Sequence, residues 1–193
     1  MAKKPTLPEY LLKASEGYKL EQARAKSAIS SLPLPIPHDG QVEILSSKAI
    51  FKVVCCGRQF GKTEGAAMSA VGGSKEYGGR GLLDGAYVQL SSPSQKQADL
   101  FWDYISAWLA PLFKVQGFQK NESKRVIRYR GGQLTVKTAS DPDSLRGPNV
   151  DKLILDECAF LDPRAWEESG MPMLLARAAA AEIYTTPKRR NWF

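Results

Sequence analysis

The stretch that most constrains the fold is "VVCCGRQFGKTEGAAM", Val53 to Met68, in which a glycine-rich turn separates an apolar run from a helical pattern. A strand, a tight turn with inward-facing N–H groups and a helix start together form a cradle for phosphate, because the helix dipole favours negative charge. The usual phosphate-binding loop has about four residues between its first glycine and Gly-Lys-Ser/Thr. Only three residues separate Gly57 from Gly61 here. The sequence therefore predicts a shortened phosphate-binding loop.

Composition limits the size of the fold and the kind of partner. With 193 residues, 43% hydrophobic and 24% charged, the chain can bury a core and suits one domain with a small appendage. The net charge of +7 favours an anionic partner, because Lys and Arg raise the local concentration of phosphate groups. Charge alone leaves open which polyanion is bound.

The cysteines and the apolar runs indicate the compartment. Cys55, Cys56 and Cys158 have neither the spacing of a zinc site nor the even number of a secreted disulfide framework, so we expect small buried residues in a reducing cytosol. No apolar run approaches the roughly 20 residues that span a bilayer, and the N-terminus lacks a signal peptide. The sequence predicts a soluble protein that is not secreted and binds no membrane.

The chain begins with a helical segment that ends in a proline-rich linker. Residues 5–31 have roughly helical spacing, with "EYLLKA" and "KLEQARAKSAISSL" as two helical pieces. The three prolines of "LPLPIPHDGQ" forbid a regular helix and favour an extended stretch. We therefore predict a helical N-terminal segment and linker over residues 1–33 and a core domain over residues 34–193.

In the core domain, short apolar runs alternate with helical patterns, which is typical of a mostly parallel sheet covered on both faces. The expected strands are "IFKVVCC", "GAYVQLSS", "KLILDE" and "EIYTTP", and "RVIRYRGGQLTVKTA" has the turn of a β-hairpin. Helices are expected from Lys62 to about Glu76, in "PSQKQADLFWDYISAWLAPLF" and, broken, in "PRAWEESGMPMLLARAAAA". The apolar face of the second helix is expected to comprise Leu100, Phe101, Tyr104, Ile105, Trp108 and Leu109.

Two pairs of polar residues suit a nucleotide site. Lys62 would reach the β- and γ-phosphates, and the Thr63 hydroxyl would ligate Mg²⁺. In "VDKLILDECAF", Asp156 and Glu157 would lie at the carboxyl end of a strand, where ligands bind in open α/β sheets. This fits a Walker B element in which Asp156 holds Mg²⁺ and Glu157 orients or deprotonates water. The alternative, an acidic pair that merely ends a strand in solvent, is less favoured because each motif supplies what the other lacks.

Three stretches, "GRQFGKT", "SLRGPNVDKLILDECAF" and "IYTTPKRRNWF", occur in an order known from one family. Over roughly residues 34–193, the chain resembles the ATPase domain of the large terminase subunit, the motor that packages viral DNA into tailed-phage and herpesvirus heads. The resemblance implies an α/β fold of the additional-strand P-loop NTPase type, with helices flanking a mostly parallel sheet. It also implies ATP and Mg²⁺ as cofactors, and hydrolysis that powers translocation of double-stranded DNA into the procapsid.

The resemblance further implies partners, a location and a boundary. The partners would be DNA, the portal protein and the small terminase subunit, with a homo-oligomeric ring at work and a monomer in isolation. The site of action would be the host cell cytoplasm, transiently at the procapsid portal. Family members continue into a nuclease domain with clustered acidic metal ligands, and we expect that domain and its activity to be absent here. Whether the chain is an excised domain or a natural fragment stays open.

By the same resemblance, several residues acquire roles in nucleotide binding. The family commonly has a shortened P-loop with an early arginine, which Arg58 matches, so a guanidinium would join the backbone amides around phosphate. Gln41 would contact adenine, with an ordinary exposed glutamine as the alternative, and His38 is expected to be structural or solvated. The expected ATP-binding residues are Gln41, Gly57, Arg58, Gln59, Phe60, Gly61, Lys62 and Thr63.

Two more motifs match elements of that family. Thr185 and Thr186 match the element that couples hydrolysis to motion, or they simply end a strand before proline. Arg146 matches an arginine that enters the site of a neighbouring subunit, since its planar fork fits phosphate oxygens. A surface arginine or a DNA contact is the alternative. Since Arg146 precedes the Walker B strand, we expect it at the amino end of that strand, away from its own nucleotide.

Basic residues cluster in the hairpin and near the C-terminus, where they would bind a DNA backbone or guard a solvated edge strand. They are Lys124, Arg125, Arg128, Arg130, Lys137, Lys188, Arg189 and Arg190. Two rival functions remain. One is a helicase-like nucleic-acid-dependent ATPase, which needs a second motor domain that 193 residues cannot hold. The other is a non-hydrolytic, nucleotide-controlled assembly module.

Overall fold

The computed structural model describes residues 7–72, 80–175 and 177–187, with side chains from residue 18 onward. The helices of this part of the chain are α1 (Leu7–Ser30), α2 (Asp39–Ser46), α3 (Lys62–Val71), α4 (Gln95–Leu109), α5 (Pro142–Leu145) and α6 (Met171–Leu175). The strands are β1 (Phe51–Cys55), β2 (Tyr87–Ser92), β3 (Gln119–Asn121), β4 (Val126–Tyr129), β5 (Gly132–Thr138), β6 (Lys152–Leu155) and β7 (Ala180–Thr185). None of the described helices is both long and apolar enough to cross a membrane.

The strands form one sheet in the order β1-β7-β6-β2-β5-β4-β3. From β1 to β5 the neighbours run parallel, whereas β5, β4 and β3 pair antiparallel. Strands that are neighbours in the parallel part are separated in sequence, so helical crossovers must join them. The predicted α/β class with a mostly parallel sheet is confirmed, and so is the hairpin of β4 and β5. The short strand β3 is an addition that the sequence pattern did not indicate.

Successive side chains of each strand point to opposite faces of the sheet, and a buried cluster lies on each face. In β2, Val88 and Leu90 join the cluster that includes the buried faces of α3 and α4. Gln89 points to the other face and donates from Nε2 to the Leu145 carbonyl at 2.9 Å. The second buried cluster lies on this other face and includes Leu145 and, from β6, Leu153. Because both faces of the sheet are covered, its carboxyl edge is the part left open for a ligand.

The N-terminal segment forms one helix, α1, where two pieces were predicted. In its C-terminal half, Ala25 is buried and Ile29 packs against the α3/α4 cluster. Residues 32–38 have no regular structure, as the prolines require. Helix α2 then follows, and the sequence pattern missed it because eight residues give too short a period to recognise.

Helix α3 ends earlier than predicted. It stops at Val71 because Gly72 adopts a φ of +65° and its N–H donates to the Met68 carbonyl, which ends the helix. The predicted end near Glu76 falls in residues 73–79, outside the described residues.

The core face of α4 is rotated from the predicted one. Phe101 is fully buried, but Leu100 and Tyr104 are 41% and 36% exposed. Ala98 and Trp102 are buried in their place. The predicted broken helix is confirmed near the C-terminus, where a π-helical turn over Ala165–Gly170 leads into α6.

The expectation of three buried cysteines is correct only in part. Cys158 is buried, Cys56 is half-buried, and Cys55 is exposed on β1, which is an edge strand. The predicted basic residues 188–190 lie outside the described residues.

Candidate functional site

The sheet topology brings the predicted motifs to one edge. Strands β1, β7, β6 and β2 are consecutive neighbours and parallel, so their carboxyl ends lie side by side. Cys55 pairs with Thr185, and the Asp156 N–H donates to the Ser91 carbonyl at 2.9 Å. The phosphate-binding loop, the acidic pair and the two threonines therefore meet at this edge.

The loop has the backbone of a tight turn into a helix. Gly61 has a φ of +82° and directly precedes the first residue of α3, Lys62. Gln59 also has a positive φ, of 62°. The positive φ of Gly61 favours glycine at this position, and a Cβ there would lie 2.6 Å from the Gln41 amide nitrogen and displace it.

Lys62 reaches back across this loop. It is 7% exposed, and its ammonium donates to the carbonyl oxygens of Cys56 at 3.2 Å and Gly57 at 2.9 Å. The hydrogen bonds of this ammonium go to neutral carbonyls, although its charge also acts on the nearby Asp156. An anion in the loop would supply a charged hydrogen-bond partner.

The Gln41 amide is used to hold the loop in position. It is 3% exposed, donates to the Gly61 carbonyl at 3.0 Å and accepts from the His38 N–H at 3.1 Å. His38 in turn contacts the Phe60 carbonyl through Nε2 at 2.8 Å. Gln41 of α2 and His38, which directly precedes that helix, therefore support the loop, and a contact of Gln41 with adenine stays a prediction.

Thr63 and Asp156 connect the two motifs. The Thr63 hydroxyl donates to Oδ2 of Asp156 at 3.2 Å, while Oδ1 is buried without a hydrogen-bond partner. Burial, followed by the charge of Glu157, raises the pKa of Asp156 to about 6, against smaller opposing effects that include Thr63 and Lys62. A cation beside this carboxyl would favour its charged form.

Glu157 is held in an uncommon conformation beside the two threonines. Its φ is +47°, in the left-handed region. Oε1 accepts from the Thr186 hydroxyl at 3.1 Å, and Oε2 is buried without a partner. The Thr185 hydroxyl accepts the Ala159 N–H at 3.2 Å, which holds the turn after Glu157 to the end of β7.

Two cavities, of about 410 and 550 Å³, open over this edge and share Arg58, Glu157 and Thr186. The first extends over Gln59 and residues 61–64 of the loop and is bordered by Leu100 and Tyr104 of α4. The second extends to Pro93, Gln97, Phe160 and Pro187. The exposed Arg58 thus faces the same space as the loop and the acidic pair.

The sequence missed the wall that α4 contributes. Leu100 and Tyr104 were predicted as core because an apolar helical pattern does not tell a core face from a cavity wall. No sequence signal indicated Gln97.

Arg146 lies on the connection between β5 and β6, away from the loop and the acidic pair. It was expected at the amino end of the Walker B strand, β6. The structure places α5 just after the carboxyl end of β5, where the Ser144 hydroxyl donates to the Thr138 carbonyl at 3.2 Å. By Leu145 the chain lies beside the middle of β2, whose Gln89 donates to the Leu145 carbonyl. Arg146 is exposed at the end of α5, and its guanidinium pairs with Asp143 at 3.2 Å.

Most of the hairpin cations already contact protein groups. Arg125 pairs with Asp99, Arg128 donates to Gln133, and Arg130 donates to Gln22. Lys137 donates to the Arg146 carbonyl at 2.8 Å, and partial burial lowers its pKa. Their contact with DNA stays a prediction.

A metal ion at this edge would need further ligands besides the carboxylate side chains. Within the described ranges, no group of three or more His, Cys, Asp or Glu side chains could hold a metal ion. Thr63 and Asp156 could share an ion only if a ligand such as phosphate completed its coordination.

Comparisons with known proteins agree on one family. The chain is 31% identical over 176 aligned residues to proteins named terminase, large subunit, from Thermus virus P23-45 and Thermus phage G20c. Each match covers 81% of this chain and 35% of the relative, so the chain spans about a third of their length. No protein-family model matches.

Solved structures give the same result for the fold. The large terminase ATPase domain of Thermus phage P74-26 superposes with a TM-score of 0.68 at 28% identity, covering 81% of this chain and 67% of that one. The HK97 bacteriophage large terminase gives a TM-score of 0.62 at 13% identity, covering 81% of this chain and 34% of that one. At that identity the second match supports the fold alone.

Proposed function

Because the chain belongs to the family of phage large terminase subunits and has the fold of their ATPase domain, we propose that it hydrolyses ATP to drive double-stranded DNA into a procapsid. The observation that carries this proposal is the hydrogen bond between Thr63 and Asp156. It joins the phosphate-binding loop to the acidic pair at the open edge of the sheet, as a metal-nucleotide site requires.

The residues of the loop suit a triphosphate. The ammonium of Lys62 would exchange its two carbonyl partners for phosphate oxygens, and Arg58 would approach from the cavity side. The backbone N–H groups at the start of α3 face negative charge favourably. Gly57, Gln59, Phe60 and Gly61 would contribute backbone contacts, and Gln41 is proposed to reach the base after releasing Gly61.

Magnesium fits the pair formed by Thr63 and Asp156. Thr63 and Asp156 would hold the ion, and the partnerless Oδ1 of Asp156 would gain a charged neighbour. When bound, ATP supplies the phosphoryl group and Mg²⁺ offsets charge on its oxygens.

Glu157 is the proposed general base. Thr186 holds one carboxylate oxygen, and the other, Oε2, has no partner and is buried, so it would turn toward the cavity to accept a proton from water. The same hydrogen bond makes Thr186 a candidate for coupling, because a shift of β7 would move the base. Thr185 would support that movement through the turn that it anchors.

The family also suggests how the domain would work in an assembly. We propose a homo-oligomeric ring at the procapsid portal in the host cytoplasm, with the portal protein and the small terminase subunit as partners. Arg146 is proposed to serve a neighbouring subunit. Because no acidic cluster occurs among the described residues, we propose that this part of the chain has no nuclease activity.

A phosphate-release assay with and without double-stranded DNA tests the proposal. We expect Mg²⁺-dependent ATP hydrolysis that DNA stimulates. Binding of ATP without any hydrolysis would favour the assembly module, and stimulation by single strands alone would favour the helicase-like enzyme.

A further inference from the structure

Gln97 lies in the first turn of α4, and the sheet topology carries that turn to the acidic pair. Strand β2 pairs with β6 in parallel, with Ser91 opposite Leu155. The loop after β2 therefore leaves the sheet next to Asp156 and Glu157, and α4 begins within three residues of its end.

The Gln97 carboxamide is fixed by one partner. Its Oε1 accepts from the Ser94 hydroxyl at 2.8 Å, and that hydroxyl accepts from the Gln97 N–H at 3.3 Å. In this orientation the hydroxyl proton goes to the carboxamide oxygen, and the amide nitrogen faces away from Ser94. Its Nε2 has no recorded partner among the described residues, so two N–H donors remain for a ligand.

The space around Gln97 already holds the proposed reacting groups. Gln97 lines the cavity of about 550 Å³ together with Arg58, Glu157 and Thr186. Glu157 is one of the lining residues, although its partnerless Oε2 is buried. A donor fixed in this space would face the end of a triphosphate that lies between Arg58 and Glu157.

We propose that Gln97 is a further catalytic residue, whose Nε2 donates a hydrogen bond to the terminal phosphate of ATP. The inference rests on the proposed function. A fixed neutral donor aimed at charge that grows in the transition state lowers the barrier without reorganisation. It also distinguishes ATP from ADP, because only ATP carries the group that it contacts.

A purely structural role for Gln97 is the alternative, since Ser-x-x-Gln is a helix-capping pattern. Gln97→Glu separates the two roles. Glutamate keeps an acceptor oxygen for Ser94 and caps equally well, but it loses both N–H donors and repels phosphate. Gln95→Glu is the charge control: it adds the same charge two positions earlier, at a side chain that lines neither cavity of the site. Because it also removes the hydrogen bond from Gln95 to Asp99, its thermal unfolding is compared with that of the unaltered chain.

The readouts are affinity for a non-hydrolysable ATP analogue, affinity for ADP, thermal unfolding and turnover. For Gln97→Glu we expect unchanged unfolding and ADP affinity, analogue affinity about tenfold weaker, and turnover lower by about tenfold to a hundredfold, within the range for a lost transition-state donor. Gln97→Met, which lacks both donor and acceptor, should lose turnover similarly.

Failure of this inference differs from failure of the proposed function. If the unaltered chain binds and hydrolyses ATP while Gln97→Glu matches it in analogue affinity and turnover, Gln97 is a capping residue only. A loss of similar size in Gln95→Glu would also overturn the inference, because general charge repulsion would then explain both variants. If the unaltered chain binds no nucleotide, the proposed function itself fails.

Discussion

At the residue scale, Lys62 and Glu157 belong to separate steps of the proposed reaction. Lys62→Ala removes the ammonium of the loop, so ATP binding and turnover should fall together. Glu157→Gln keeps the size of the side chain and should leave ATP binding nearly normal, but turnover should fall by about 10² to 10⁴, as for a lost general base. Equilibrium binding and phosphate release measure the two effects.

Glu168→Gln is a control for the lost charge, because Glu168 is exposed and lines neither cavity of the site. It should behave as the unaltered chain. ATP hydrolysis by Glu157→Gln at the parental rate would show that another group activates water.

Thr186 and Thr185 form a matched pair with different expected effects. Thr186→Val removes the donor to Glu157, so turnover should fall by roughly tenfold while stability and ATP binding persist. Thr185→Val leaves the Ala159 N–H without its partner in a buried turn, which should cost about 1 to 3 kcal/mol of unfolding free energy.

Urea unfolding and turnover, measured on both threonine variants, separate these effects. Thr186→Val with parental turnover would remove the proposed link between β7 and the base. Equal loss of stability in both variants would mean that the two hydroxyls serve the same structural purpose.

The residue types of the site were predictable, but some of their contacts were not. Lys62, Thr63 and Asp156 follow from the chemistry of phosphate and Mg²⁺, which needs these groups at strand and helix ends. The support of Gly61 by Gln41 depends on α2, whose eight residues carry no recognisable period. Tertiary neighbours of this kind are invisible to local patterns.

At the element scale, the rotation of α4 gives a stability prediction. Phe101 is fully buried between α4 and the sheet, so Phe101→Ala should destabilise the fold by about 3 to 5 kcal/mol through lost burial and a cavity. Leu100→Ala removes an exposed side chain on the site side and should cost well under 1 kcal/mol. The free energy of unfolding in urea measures both changes.

The Leu100 substitution should also affect nucleotide binding. Because Leu100 borders the cavity over the loop, Leu100→Ala should change the dissociation constant for ATP while the free energy of unfolding stays nearly unchanged. Equal destabilisation by Phe101→Ala and Leu100→Ala would show that Leu100 packs in the core, as the sequence alone predicted.

Strand and helix types were predictable because the apolar periods differ, but their exact faces and ends were not. A small rotation of α4 exchanges Leu100 and Tyr104 for Ala98 and Trp102 in the core, and both choices keep a helical period. The end of α3 depends on the conformation of Gly72, one of two adjacent glycines in the sequence.

At the scale of the whole molecule, the question is which nucleotide site Arg146 serves. The sequence pattern placed Arg146 at the amino end of the Walker B strand, β6. In the structure, α5 begins beyond the carboxyl end of β5, and the chain then passes beside the middle of β2, where Gln89 donates to the Leu145 carbonyl at 2.9 Å. Because β2 is the neighbour of β6, distance along the sheet does not decide between the site of its own subunit and that of a neighbour. Action between subunits therefore rests on the family resemblance, and a mixing experiment tests it.

We propose that Arg146 acts in the site of a neighbouring subunit. In the described part of the chain its guanidinium pairs with the exposed Asp143, a pair that is weak in solvent and easily exchanged for phosphate. Arg146→Ala should bind ATP normally but lose the rise of specific activity with protein concentration, since an arginine supplied by a neighbour raises the rate of hydrolysis by about 10³ to 10⁵ in favourable cases.

A mixture of Arg146→Ala and Lys62→Ala subunits tests action between subunits. The first variant keeps an intact pocket and the second an intact arginine, so activity should return in the mixture although neither variant has it alone. Lack of recovery in mixtures whose subunits associate, measured by sedimentation, would mean that Arg146 does not act between subunits.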